Sequence, residues 1–227
     1  MKAAVQVLED VDRRYHSKVK PVCGCRSIEG DHEVQVFVNV VSGSYVNGFS
    51  DLPFAFCVKF RREESFCTPF ELLFEVNRNI TEEEVAQRTN DDKELMDCAE
   101  VDARPFLHYL QYLTYGGLGE RNNQLRALRV FDSFMWDIRN RINLYHPETA
   151  LNLIGHCSEM EGDYEAALFY CDVSLLRFDT NNAANRHVRR VRRLIIGLEY
   201  NNNSFRVHGI KQIVSFEHIL FSSSICM

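Results

Sequence analysis

Apolar residues at Val5, Leu8 and Val11, three apart, predict a short amphipathic helix over residues 2–15. Pro21, Gly24 and Gly30 interrupt that period, and the next pattern has a period of two. Residues 33–41 set Val34, Val36, Val38 and Val40 on one side and Gln35, Phe37 and Asn39 on the other, as a half-buried strand would. A turn-rich stretch follows from Gly43 to Asp51. Residues 53–61 (PFAFCVKFR) predict a second strand, and residues 70–77 (FELLFEVN) a third. Residues 1–80 are thus expected to form a β-containing module built on a small antiparallel sheet.

Thr81 to Glu84 fits a capping box, in which the Thr hydroxyl meets a free backbone N–H and Glu84 reaches back. The segment 81–102 is highly charged and reads as an exposed helix or a partly ordered linker. From Ala103 the period is helical. Phe106, Leu107, Leu110 and Leu113 form a stripe that Gly116-Gly117 stops. Residues 122–143 predict a longer helix with Leu125, Leu128, Phe131, Phe134, Met135, Ile138 and Ile142 on one face. Residues 148–182 predict two helices around the turn Gly162-Asp163-Tyr164, and residues 184–198 a further helix. Asn201-Asn202-Asn203-Ser204 breaks the pattern, and residues 201–227 are expected to be an irregular tail that is poorly ordered or caps the last helix. The expected class is α+β: a small antiparallel β region, a linker, then a helical domain over residues 103–200.

Within residues 148–182 the small and turn residues carry a resemblance. Leu151, then Ile154-Gly155, then Gly162-Asp163-Tyr164, then Ala167, Cys171 and Ser174 follow the order and spacing of the tetratricopeptide repeat, a unit of about 34 residues. Tyr170 stands one place before the consensus aromatic, and Asp179 or Thr180 where Pro is common. The preceding unit is more divergent: Ala127, Phe131 and Phe134 keep the second-helix spacing, but Phe134 is large for a small-residue place. The resemblance implies a short helical array whose first helices line a groove for a partner. A full groove takes at least about three units, so this array is short. An ordinary helical bundle is the other architecture the pattern fits.

Composition narrows the function classes. The chain has 227 residues, 45% of them hydrophobic, including sixteen Phe, enough for a sizeable core. Its net charge of −6 argues against a general nucleic-acid binder and against electrostatic attachment to anionic membranes. There is no run of about 18 apolar residues for a membrane span, and Glu9, Asp10 and Asp12 interrupt any signal-peptide core. A cytoplasmic, reducing location is therefore expected. The eight cysteines are scattered. Cys23-Gly24-Cys25 is one close pair, with His32, Cys57 and Cys67 as isolated residues nearby, whereas a structural zinc site usually joins two such pairs. No metal or other cofactor is expected. Gly116 to Gly119 lacks the preceding strand and following Gly-Lys-Ser/Thr of a phosphate loop. The histidines are scattered, and the carboxylates at 82–84 and 91–94 read as solvated faces, so no catalytic residues are assigned.

The sharpest charge feature is Asn185 to Arg193, where Arg186, Arg189, Arg190, Arg192 and Arg193 surround Val188 and Val191. Guanidinium groups recognise carboxylates through paired hydrogen bonds. With Asn152 and His156 of the preceding first helix, these five arginines form the expected peptide-binding set, for a protein or an acidic peptide as partner. A solvated helix that caps the array suits the same arginines. The family's carboxylate clamps use Lys and Asn across three repeats, a set this chain does not reproduce. The expected function is a non-enzymatic interaction module or adaptor. The alternative is a short form or fragment of a larger catalytic or sensor protein, with the helices as a regulatory appendage.

Overall fold

The computed structural model describes residues 2–15, 19–23, 54–76, 86, 97–141, 143–178 and 182–201. The strand expected over 33–41, the capping box at 81–84 and the tail beyond 201 lie outside the described residues. What is described is an α+β fold, mostly helical. Contacts divide the chain into two units, Met1–Val191 and Arg192–Met227.

The helix predicted near the N-terminus is present as α1 (Lys2–Arg14). It buries no residue fully, and Val5 and Leu8 are half-buried. Polar contacts tie it to α2 (Ala103–Gly117): Tyr115 Oη donates to Glu9 at 2.8 Å, and the Arg104 guanidinium lies 4.7 Å above the Tyr15 ring.

The sheet differs from the expectation. The stretch 53–61 is two strands, β2 (Phe54–Phe56) and β3 (Val58–Arg61), separated at Cys57. β2 pairs in parallel with β1 (Lys20–Val22), and β3 pairs antiparallel with β4 (Cys98–Val101), matching Val58 to Val101 and Arg61 to Cys98. Among the described residues there are therefore two separate two-stranded ladders rather than one antiparallel sheet. The third predicted strand is not a strand. Residues Phe70–Phe74 form a 3₁₀ turn in which Glu71, Leu72 and Phe74 are buried. Glu71 and Glu75 face polar groups of the helical half, and these tertiary contacts override local β propensity.

The helix expected over 122–143 is also broken. α3 (Arg121–Trp136) ends at Asp137, whose backbone is extended at ψ 113°, and α4 (Ile138–Arg141) starts afresh. Asp137 Oδ1 accepts the backbone N–H of Arg139 at 2.9 Å, a local bond that competes with helix continuation.

The hairpin forms as α5 (Pro147–Met160) and α6 (Tyr164–Arg177). Pro147 occupies the first turn of α5, where its missing N–H costs nothing. Gly162 takes φ +78°, and the Asp163 side chain accepts from the backbone N–H of Ala166 at 3.0 Å to open α6. The helices meet at Gly155, where an added Cβ would stand 3.3 Å from the Ala167 carbonyl oxygen and 3.4 Å from Cys171 Sγ. α7 (Ala184–Asn201) follows. Asn182 opens it by accepting from Ala184 N at 2.9 Å while donating to Ser174 Oγ at 2.8 Å. The main core joins Tyr109 and Tyr112 of α2, Phe131 of α3, Leu153 and Ile154 of α5, Ala99 and Val101 of β4, and Leu72 and Val76 of the 3₁₀ segment. In the second unit the helical residues 192–201 include the exposed Leu194 and Ile196.

Candidate functional site

The densest buried polar cluster lies where α5 and the first part of α7 meet residues 69–76. On α5, Asn152, His156 and Glu159 recur at helical spacing and share one face. On α7, Arg186 and His187 stand four and three residues before Arg190, so each neighbours it one turn away. The 3₁₀ turn lays Glu71, Phe74 and Glu75 across both.

Glu71 is the hub. One carboxylate oxygen is 3.0 Å from His156 Nε2, and the other is 2.9 Å from Arg190 Nη2 and 3.5 Å from His187 Nδ1. Arg190 Nη2 also reaches Glu159 at 2.7 Å, so one guanidinium joins two carboxylates. Tyr109 Oη lies 3.0 Å from His156 Nδ1. His156 thus stands between the Tyr109 phenol and the Glu71 carboxylate. Asn152 Nδ2 donates to Glu75 at 2.8 Å and to Asn182 Oδ1 at 3.1 Å. The Phe74 ring is sandwiched by cations, with Arg186 at 4.6 Å and Arg190 at 5.1 Å from its centroid, and it meets the His187 ring edge-on at 5.2 Å.

Burial sets the charge states. Desolvation, with the neighbouring Arg190 cation adding to it, holds both His156 and His187 down at about 3. Both are therefore neutral near pH 7. Glu71 is pushed up by desolvation, while its hydrogen bonds and charge interaction with Arg190 act against the rise.

Of the residues expected to bind a peptide, Asn152, His156, Arg186 and Arg190 come together here. Arg189 is exposed, and Arg192 and Arg193 are exposed residues of the second unit. Sequence reasoning missed Glu71, Phe74 and Glu75, and also Tyr109, Glu159 and His187. The only available signal was the pair of glutamates bracketing Leu72, Leu73 and Phe74 in an otherwise apolar stretch. A separate pocket, lined in part by Tyr15, Pro21, Asp102, Arg104, Phe134 and Asn140, shares no residue with this cluster.

No protein-family model, no curated protein and no solved structure matches the chain. Among the described residues, no helix is long and apolar enough to cross a membrane.

Proposed function

We propose that this chain is a non-enzymatic protein-interaction module whose tetratricopeptide-like α5–α7 face recognises an acidic, aromatic-containing peptide. The observation that carries the reading is the contact between residues 69–76 and that face. Asn152, His156, Arg186 and Arg190 already hold two carboxylates and a phenyl ring of the chain itself, in an extended-to-3₁₀ segment rather than a long helix. Forked guanidinium contacts fix a carboxylate, and cation–π contacts fix the ring three residues on. A partner peptide with glutamate and phenylalanine at the spacing of Glu71 and Phe74 would meet the same donors, and residues 69–76 would hold its place until it arrives. Desolvation keeps both histidines neutral near pH 7, which suits them to hold a segment rather than to carry charge.

The test uses the full chain and a labelled peptide copying residues 68–77. Fluorescence anisotropy should show weak binding to the wild type and at least tenfold tighter binding to a Phe74→Ala variant, whose own segment is less firmly held. Arg186→Ala combined with Arg190→Ala should remove binding from both. Equal affinity for all these chains, or no binding to any, would refute the assignment.

A further inference from the structure

Four elements converge on a second cluster that shares no residue with the α5–α7 face. Cys23 immediately follows β1, Cys57 separates β2 from β3, Glu100 lies on β4, and His146 immediately precedes α5. One ligand atom each from Cys23, Cys57 and His146 falls within 4.8 Å of the others. Cys23 Sγ is 3.1 Å from His146 Nε2. Glu100 Oε2 is 3.3 Å from that nitrogen and 4.0 Å from Cys23 Sγ. Around a tetrahedral zinc ion with bonds of about 2.0–2.3 Å, donor atoms stand roughly 3.2–3.8 Å apart. The separations of 3.1, 3.3 and 4.0 Å among Cys23, His146 and Glu100 lie around that range, with Cys57 Sγ within 4.8 Å of the Cys23 and His146 donors.

The surrounding groups fix these donors as a ligand shell requires. Lys59 Nζ holds the other oxygen of Glu100 at 2.7 Å, which turns Oε2 inward. His146 Nδ1 faces Glu148 at 3.7 Å, so a carboxylate lies behind the imidazole as it does in many zinc sites. Asp102 accepts the backbone N–H groups of Tyr145 and His146 at 3.1 and 2.8 Å and the Cys57 thiol at 3.6 Å, locking the approach of two ligands. Cys23, Glu100 and His146 are all buried. Cys23 is disulfide-bonded, and a disulfide sulfur is a poor ligand compared with a thiolate.

We propose a redox-gated zinc site in which Cys23, Cys57, His146 and Glu100 bind one ion once the Cys23 disulfide is reduced. A dithiol reductant gives two electrons and two protons to the disulfide, yielding two thiols and its own disulfide. Zinc then takes the Cys23 and Cys57 sulfurs as thiolates and releases their two protons, while the His146 imidazole and the Glu100 carboxylate complete the shell. Exchange with an external disulfide as oxidant re-forms the Cys23 disulfide and takes up its two electrons, becoming a dithiol; with that sulfur withdrawn, the ion leaves and Cys57 takes back a proton.

The experiment takes the full chain, reduces it anaerobically, removes the reductant and adds zinc with a competing chromophoric chelator. One tightly bound zinc per chain is expected, with an X-ray absorption shell of two sulfur and two nitrogen or oxygen atoms. The oxidised chain and the reduced Cys57→Ser and His146→Ala variants should each bind at least tenfold more weakly. Cys171→Ser should bind as the wild type does. A shell without sulfur, a shell of four sulfurs, or equal affinity in the oxidised chain would overturn the proposal. Should the site variants fail to fold, the absorption shell and redox dependence of the wild type still decide it.

Discussion

Arg190 is the residue whose loss should be felt most. Its guanidinium is 2.9 Å from Glu71 and 2.7 Å from Glu159, and these carboxylates have side-chain exposures of only 5% and 12%. Arg190→Met keeps an unbranched side chain of similar length but leaves Glu71 without its cation and removes the cation over the Phe74 ring. Breaking a buried pair in this way costs about 3–5 kcal/mol, mostly because an uncompensated charge stays buried. Adding Glu71→Gln removes that charge while keeping the size and shape of the side chain. The double variant should therefore recover about 2 kcal/mol or more of the loss, a coupling typical of contacting residues in one network. Urea unfolding followed by circular dichroism measures all four corners of the cycle. The urea slope adds a second readout, since release of residues 69–76 exposes surface in the native state and lowers it. A loss below about 1 kcal/mol for Arg190→Met, with no coupling to Glu71→Gln, would place this pair with ordinary solvated surface ion pairs and refute the seated-segment geometry.

Acid should weaken the fold through His156 and His187. Both are held at about 3 when folded, against about 6.5 when unfolded. The unfolded chain thus binds more protons between these values. Their contribution is complete above about pH 6.5 and is lost as pH falls toward 3. Each contributes up to about 2 kcal/mol of loss between pH 7 and 5, and the raised Glu71 acts in the opposite sense. Urea midpoints at pH 7 and 5 for wild type and His187→Phe test this, the variant being expected to show the smaller drop. Gly155→Ala should destabilise by about 1 kcal/mol or more, because the new methyl group presses on the Ala167 backbone carbonyl and outweighs the gain in helix propensity. Gly197→Ala, whose Cβ would meet nothing within 4 Å, should be neutral or stabilising in the same melts. Asp163→Ala removes the bond to Ala166 N and should cost about 1 kcal/mol, with Asp163→Ser restoring most of it.

The helical half was legible because its signals are local. The 3.6-residue stripe on α2, the Gly162 turn, the Asp163 cap and the Gly155–Ala167 approach each rest on residues close in sequence or at fixed spacing, and backbone geometry alone ties them to helix, turn and helix. The break at Asp137 was missed because an apolar stripe continues on both sides of it, whereas the interruption comes from one side-chain bond to Arg139 N. Half of the candidate site was readable for the same kind of reason: Asn152, His156, Arg186 and Arg190 stand out as polar residues at helical spacing.

Their occupant was not readable. FELLFE has the composition of a strand. A carboxylate is buried only when donors from elsewhere converge on it, and for Glu71 they come from residues 85 and 119 positions away along the chain. The same holds for Cys23, Cys57 and His146, where Cys23 and His146 are 123 positions apart. The sequence by itself determined the helices on either side of Gly162, the turn between them and the stripe of the helix that starts at Ala103. Only the tertiary structure decided what the α5–α7 face holds and which cysteines meet a histidine, because long-range proximity depends on how the elements pack and leaves no periodic trace in any one of them.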